Sequence, residues 1–291
     1  MIKKLLLIFL LTYPQFSHSS VEVDFNIWLK KFKITAHEEG ISEETINNSL
    51  KNAKYLEQVI KYDRYQPEFF EDTKTYIKKR ATRSRMLKAK ALLKKNKKLF
   101  DEVEKKFKVE KELLLALWGI ETNFGKHVGK MDIISSLATL SFDKRRSKFF
   151  SKELIILLKL IDQKLINVDT LYGSWAGAFG NFQFMPSSIE NYAIDYDKNN
   201  KIELKQSLPD AVASAANYIS KIGWEYQSSC FHKVELTKPI SKKYINTSAK
   251  KIKNYLTIKL WKKKGIVDIE QISDKNKAAL VIPDLAVIEE N

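Results

Sequence analysis

The sequence holds one cysteine, Cys230, which excludes an intramolecular disulfide framework, a thiolate zinc site and an iron–sulfur cluster. Its four histidines, His18, His37, His127 and His232, are scattered and form no His-rich metal centre. Nine glycines and six prolines in 291 residues are few turn-formers and breakers, as a mostly helical chain requires. Acid is also scarce: 35 Asp and Glu face 51 Lys and Arg, a formal net charge of +16. Such an excess points to an anionic partner or environment, whether nucleic acid, anionic lipid or wall polymer. A Lys-, Ile- and Asn-rich composition yields the same excess with no partner at all. What is present is enough for a core. Hydrophobic residues make up 44% and aromatics 11%, which excludes wholesale disorder.

No apolar run reaches membrane-spanning length. The unbroken stretch Leu5 to Leu11 is far short of the roughly 20 residues a span needs. It follows basic Met1-Ile2-Lys3-Lys4 and precedes Thr12-Tyr13-Pro14, and Ser17-His18-Ser19 offers small residues before a cut. This predicts a secretory signal over 1–19, cleaved after Ser19. No cysteine follows the apolar run, so neither a lipid anchor nor a membrane anchor is expected, and export demotes nucleic acid as a partner.

The remaining chain divides into an N-terminal helical region (20–75), a core (76–226) and a smaller α+β segment (227–291). Phe25, Ile27, Trp28, Leu29 and Phe32 form a helical apolar face ended by Gly40, and Ser42 opens the next helix. The spacing predicts one long basic amphipathic helix over 75–98, an apolar helix over 111–121, and further helices over 151–164 and 210–222. Beyond Gln227, β-branched runs such as Val234–Leu236 and Ala278–Ile282 suggest strands.

Six of the nine glycines fall between Gly119 and Gly180. Glycine is needed where backbone turns sharply or approaches something closely. In Gly173-Ser174-Trp175-Ala176-Gly177-Ala178-Phe179-Gly180, small residues interleave with aromatics, a pattern for the floor of a groove or for tight helix packing. Glu121 ends the apolar run Leu113–Ile120. Desolvation and the negative end of the helix dipole both disfavour its anion, which is what a general acid near neutrality needs. The other reading is a helix-end glutamate paired with a lysine.

Ala116-Leu117-Trp118-Gly119-Ile120-Glu121-Thr122-Asn123-Phe124-Gly125 resembles the catalytic-glutamate block of the lytic murein transglycosylase B family. Ser136–Phe142, Arg145-Arg146, Phe149-Phe150, Gly173–Gly180, Gln183–Ser188 and Ala216-Asn217-Tyr218 follow in that family's order, with Asp63–Phe69 upstream and Leu260–Ile266 and Leu280–Asp284 downstream. The resemblance runs from about residue 25 to 285. It implies a mainly α fold with a lysozyme-like catalytic core, and cleavage of the N-acetylmuramic acid–β-1,4–N-acetylglucosamine bond in peptidoglycan glycan strands. By resemblance Glu121 is first acid and then base, giving a 1,6-anhydro end in the periplasm without a cofactor. Ser174 and Gln183 match sugar-contacting positions, and Arg146 a basic position suited to peptide-stem carboxylates. Tyr76, Phe149, Phe182 and Tyr218 are candidates for stacking on sugars or for the core. The partners it implies are glycan strands and proteins of wall synthesis or hydrolysis. The family's aromatic-Asn-x-Ser segment has no counterpart before Glu289-Glu290-Asn291, so a shortened groove wall is expected.

Asp195, Asp197, Asn199 and Glu203 stand at positions 1, 3, 5 and 9 of an EF-hand-like loop within 195–210, with Lys201 offering a backbone oxygen at position 7. Position 12 is Gln206 and position 6 Asn200. The resembling family has a related calcium loop, to which Asp210 would add a late ligand. A solvated acidic turn is the other reading, and any calcium would be structural. The rival functions are a hydrolase of the same polymer, separated by its reducing-end products, a catalytically weak wall-binding scaffold, and an exported nucleic-acid binder resting on charge alone.

Overall fold

In a computed structural model, residues 18–65, 73–229, 231–247 and 252–282 are described. The leader ahead of His18, the Gln66–Phe69 part of the upstream block, Cys230 and everything after Ile282 lie outside the described residues. The apolar face near the N-terminus belongs to α1 (His18–Glu38), which buries Phe25, Leu29, Phe32 and Ala36 at helical spacing. Gly40 ends it at φ 85°, and the Ile41 amide closes back on the Ala36 carbonyl at 3.2 Å. Ser42 then caps α2 (Glu43–Leu50), its Oγ accepting from the Thr45 amide at 3.2 Å. α3 (Glu57–Arg64) follows.

The long basic helix expected over 75–98 is instead broken. It is α4 (Thr73–Arg80), α5 (Arg83–Lys95) and the start of α6 (Lys97–Phe107). Thr82 is extended and its Oγ1 caps the Arg85 amide at 3.3 Å, while Arg85 itself reaches back to the Arg80 carbonyl at 2.8 Å. Asn96 closes α5 by donating Nδ2 to the Leu92 carbonyl at 2.9 Å. Short polar side chains that bond nearby backbone compete with helix propagation, and periodicity does not register that competition.

The rest of the chain runs α7 (Lys111–Thr122), β1 (Met131–Asp132), α8 (Ile133–Phe142), α9 (Ser147–Asp162), β2 (Tyr172–Gly173), α10 (Pro186–Tyr192) and α11 (Leu208–Lys221). It ends with β3 (Glu235–Leu236), β4 (Ile245–Asn246), β5 (Leu256–Thr257), α12 (Ile258–Lys263), β6 (Ile266–Val267), β7 (Lys277–Ala278) and β8 (Leu280–Val281). Among the described residues no helix is long and apolar enough to cross a membrane.

The described residues form two compact units, one from those within 1–65 and 125–218, the other from those within 66–124 and 219–291. In the first, α8 is the hub. It is buried from Ile133 to Ser141 and packs on α1, α3 and α9. Its polar side chains fasten the 51–56 loop: Ser135 Oγ accepts from the Lys54 amide and Thr139 Oγ1 from the Leu56 amide, both at 3.0 Å. In the second, α5 and α6 pack on α7. Its C-terminal stretch has a small core of Ile258, Trp261, Ile266, Ile269 and Leu280. Paired strands surround that core: β3 with β6 and β5 with β7 antiparallel, β4 with β8 parallel. Trp261 Nε1 donates to the Ala278 carbonyl at 2.8 Å. Short strands and one helix thus share this stretch.

Asp63, only 3% exposed at the end of α3, gathers three arginines in the first unit. Arg145 donates Nε to it at 2.7 Å, Arg64 Nη1 at 2.9 Å, and Arg146 also bonds it. Burial would raise the Asp63 pKa, but hydrogen bonds and charge from Arg145 and Arg146 outweigh it and hold the carboxyl below the ordinary aspartate range. A depressed pKa contributes stability above the ordinary aspartate pKa that is lost as pH falls through the folded value. Asp63→Asn is expected to destabilise the protein by about 1–3 kcal/mol at pH 7, the cost of weakening charge-assisted hydrogen bonds to a buried carboxylate from arginines that solvent partly screens. Urea melts of both proteins check this, and the deficit should shrink as the pH is lowered below the ordinary aspartate range.

Candidate active site

α7 is apolar because it is packed on two sides: Leu114, Leu115, Trp118 and Gly119 are buried. Its C-terminus is then forced into a sharp turn, with Asn123, Phe124 and Gly125 all left-handed at φ 51°, 60° and 79°. The Asn123 and Phe124 amides return to the Gly119 and Trp118 carbonyls, each at 3.1 Å. Phe124 folds back onto the helix, meeting Trp118 edge-on at 5.6 Å between ring centroids. A methyl group on Gly119 would stand 2.9 Å from Phe124 Cζ, so only glycine admits the ring. Lys88 of α5 secures the turn from outside, donating to the Asn123 carbonyl at 3.1 Å with its ammonium 5.1 Å from the Phe124 ring centroid.

Glu121 sits one residue inside this turn. Among the described residues no hydrogen bond or ion pair engages its carboxyl. Solvent reaches the side chain, yet the protein around it displaces enough water to push its pKa above the ordinary glutamate value. Access and poor hydration are compatible where a group lies in a concavity. The α7 dipole acts in the same direction. The lysine pairing weighed for Glu121 is not made.

The glycine-rich strip lies in the first unit. β1 and β2 pair antiparallel, Met131 opposite Gly173, so closely that a Cβ on Gly129 would fall 2.0 Å from the Gly173 carbonyl oxygen. Ser174 Oγ accepts from the Ala178 and Ala176 amides at 3.0 and 3.3 Å, which leaves its O–H proton to donate. An isolated bridge between Phe179 and Phe184 closes the strip and brings Gln183 onto it. Gln183, left-handed at φ 52°, donates Nε2 to the Gly180 and Val128 carbonyls at 2.9 and 3.2 Å. Its Oε1 is left to accept. The strip therefore presents one hydroxyl donor and one amide acceptor, the complement of a sugar's hydroxyl and acetamido groups.

The other expected site residues have neighbours of their own. Arg146 is engaged with Asp63, its guanidinium 4.7 Å from the Phe150 ring centroid and its Nε buried without a partner. Phe149 is 49% exposed and edges against Phe150. Tyr218 packs edge-on against Tyr192 and Phe184, while Phe182 is buried. In the second unit Tyr76 lies under the Arg80 guanidinium, 3.8 Å from its ring centroid.

The acidic loop closes on Asp210, which is buried. Its oxygens accept from the Tyr196, Asp197 and Glu203 amides at 2.8, 3.4 and 3.1 Å. Burial nevertheless raises its pKa against those amides, and the charge of Asp197 adds to the rise. Carboxylate oxygens of Asp195, Asp197 and Asp210 lie within 4.8 Å of one another, and no ion pair among the described residues offsets them. Hard oxygens converging with uncompensated charge fit a calcium ion. Asn199 bonds Glu203 by Nδ2 at 3.1 Å, and Lys201 contributes its amide to Asn199 Oδ1 at 2.9 Å.

Three supporting residues went unread in the sequence. Lys88 was one of many lysines. Asn181 anchors the strip through its amide and Nδ2, both to the Leu204 carbonyl, at 2.8 and 3.0 Å. Glu153, buried on α9, accepts the Ser187 amide and hydroxyl at 2.9 and 2.7 Å and so caps α10 behind Gln183. A lone acid on the buried face of α9, between Phe150 and Leu154, was the available signal.

Gly119→Ala is expected to displace the Phe124 ring and cost about 1–3 kcal/mol, the usual range for overpacking. Denaturant melts measure the loss; wild-type stability would mean the ring is not held by that contact.

A family model, the transglycosylase SLT domain, matches residues 24–289. The membrane-bound lytic murein transglycosylase B of Escherichia coli (strain K12) is 41% identical over 117 residues, which is 40% of this chain and 32% of that protein. The match thus spans about a third of that relative's length. The structure of SltB3 from Pseudomonas aeruginosa in complex with NAG-NAM-pentapeptide superposes with a TM-score of 0.81 at 28% identity, covering 89% of this chain and 69% of that one. The Escherichia coli lytic transglycosylase Slt35 in complex with calcium gives a TM-score of 0.72 at 25% identity, covering 95% and 87%. The mainly α, lysozyme-like fold expected from the sequence is the one observed. On the extent of the profile match, the chain belongs to the transglycosylase SLT domain family.

Proposed function

We propose that this protein is a lytic transglycosylase of peptidoglycan that cleaves the bond between N-acetylmuramic acid and N-acetylglucosamine and leaves a 1,6-anhydro end. The observation that carries the reading is Glu121: an unpaired carboxyl whose pKa is raised by desolvation, at the end of α7 inside the matched family region. A glutamate that holds its proton nearer neutrality protonates the glycosidic oxygen as the C1–O bond breaks. The resulting carboxylate then takes the proton of the muramic acid 6-hydroxyl as that oxygen bonds to C1. Such a substrate-assisted route needs no second carboxylate, and none occurs between Gly173 and Gln183. Ser174 and Gln183 are assigned to the sugars through the free hydroxyl proton and amide oxygen. Arg146, Phe149, Tyr218 and Tyr76 stay candidates for substrate contact by resemblance alone, Arg146 being engaged with Asp63. The bound NAG-NAM-pentapeptide of SltB3 supports a glycan strand with peptide stems as substrate. The leader read over 1–19 supports export to the periplasm, and the division at 75 and 226 is kept as the reading of the chain's organisation.

Glu121→Gln is expected to lower turnover on purified sacculi by at least roughly 10²–10⁴-fold, since one group serves both proton steps. Mass spectrometry of released muropeptides reads the result. Anhydro products at the wild-type rate from the folded variant would remove Glu121 from the mechanism, and reducing ends from the wild type would make the protein a hydrolase. The same variant has a stability signature. Because the folded pKa is raised, the native state is penalised above that pKa and unpenalised below the ordinary glutamate value. Glu121→Gln should therefore melt higher than wild type at pH 7 and equal to it in acid.

Asp195, Asp197 and Asp210 would hold calcium, with Asn199, Glu203 and the Lys201 carbonyl as further oxygen donors, and the ion would brace the loop structurally. The calcium in Slt35 supports this. At a calcium concentration 100 times its Kd the native state gains about 2.7 kcal/mol. A rise in melting temperature on adding calcium, absent in Asp195→Ala/Asp197→Ala, is expected; no rise at millimolar calcium returns the loop to a solvated turn.

A further inference from the structure

Behind the glycine-rich strip, the first unit contains a cavity of about 360 Å³, a size that admits a small molecule. Its floor is apolar, made by Ile166, Phe179 and Leu204, all buried. Its lining also includes Lys164, Lys201 and Lys205, all exposed, and none of these forms an ion pair among the described residues. Glu203 is the one acid in the lining, and its Oε2 is turned to Asn199 Nδ2 at 3.1 Å. An apolar floor with unbalanced cations suits a ligand that is apolar at one end and anionic at the other.

The segment 201–206 that walls this cavity also backs the strip. The Asn181 amide donates to the Leu204 carbonyl at 2.8 Å, and its Nδ2 to the Leu204 and Lys205 carbonyls at 3.0 and 3.1 Å. Gly180, whose carbonyl holds Gln183 Nε2 at 2.9 Å, is pressed on Leu204 so tightly that a Cβ there would stand 2.7 Å from Leu204 Cβ. On the cavity's other wall, the Ile202 amide ties the segment to the Leu165 carbonyl at 3.1 Å. A ligand seated on Leu204 thus presses on the residue that fixes the backbone beneath Gln183.

We propose that this cavity binds a compact amphiphilic carboxylate, and that its occupancy stiffens the Asn181–Phe184 backbone. Of the strip the lining includes Phe179 but neither Ser174 nor Gln183, and the binding does not depend on the reaction assigned to Glu121.

Calorimetric titration of the full chain with octanoate and with neutral octanamide tests it at pH 7. Octanoate should bind about tenfold more tightly, the combined effect of several exposed charge pairs. That preference should vanish in Lys164→Glu/Lys205→Glu, whose substituted positions are exposed and outside the strip. Hydrogen exchange at the Asn181 and Phe184 amides should slow when octanoate is bound. Equal affinity for the two ligands, or an undiminished preference in the double variant, overturns the site. Tight octanoate binding with unchanged exchange overturns the coupling. Since neither readout involves glycan cleavage, a failure here is separable from a failure of the catalytic reading.

Discussion

Taking water away from a carboxylate is costly, and the structure answers that cost differently at four positions. Asp63 is surrounded by guanidinium groups, and its proton affinity falls. Glu153 caps a helix through one serine's amide and hydroxyl. Asp210 collects three backbone amides in a loop crowded with other acids, and its proton affinity rises all the same. Glu121 has no hydrogen-bond or ion-pair partner among the described residues, and its proton affinity rises too. The first two are structural, and their neighbours satisfy them within the protein. The latter two hold a proton more readily than ordinary carboxyl groups do, because burial is not offset by positive charge.

What could be read in the sequence follows the range of the interactions. The cap at Ser42, the end of α1 at Gly40 and the apolar run into Glu121 are set by residues a few positions apart, and each is found as expected. The Asp195–Glu203 pattern is similarly local. The break at Ala81 and Thr82 was hidden because a capping threonine leaves the basic pattern on either side unchanged. Asp63 with Arg145 and Arg146 joins positions about eighty apart. The resemblance singled out Arg145-Arg146 and suited Arg146 to peptide-stem carboxylates, but nothing local pairs either arginine with Asp63, and only the fold joins them. Glu153 was legible in principle, as an acid on a buried helical face.

The polar groups of the strip show how a backbone can fix the hydrogen-bonding capacity that two side chains keep free. Ser174 uses its lone pairs on the Ala176 and Ala178 amides, and Gln183 uses its donors on two carbonyls. What each has left is complementary to the other. Each orientation is fixed by tight backbone that glycine permits, so the placement of the two side chains depends on Gly129, Gly173 and Gly180.

The interleaving of the two units constrains how the chain can be made. Each unit draws on two stretches of sequence separated by the other's. The link from Glu110 to Trp224, through a 2.7 Å bond to Nε1, and to the Gln227 amide at 2.6 Å joins residues more than a hundred positions apart. Closing contacts at such separations costs chain entropy before the contacts reward it. Neither unit can mature as one continuous stretch. The first is split by the whole of 66–124, and the 66–124 stretch of the second waits for residues beyond 218, by which point the first unit's own sequence has been made.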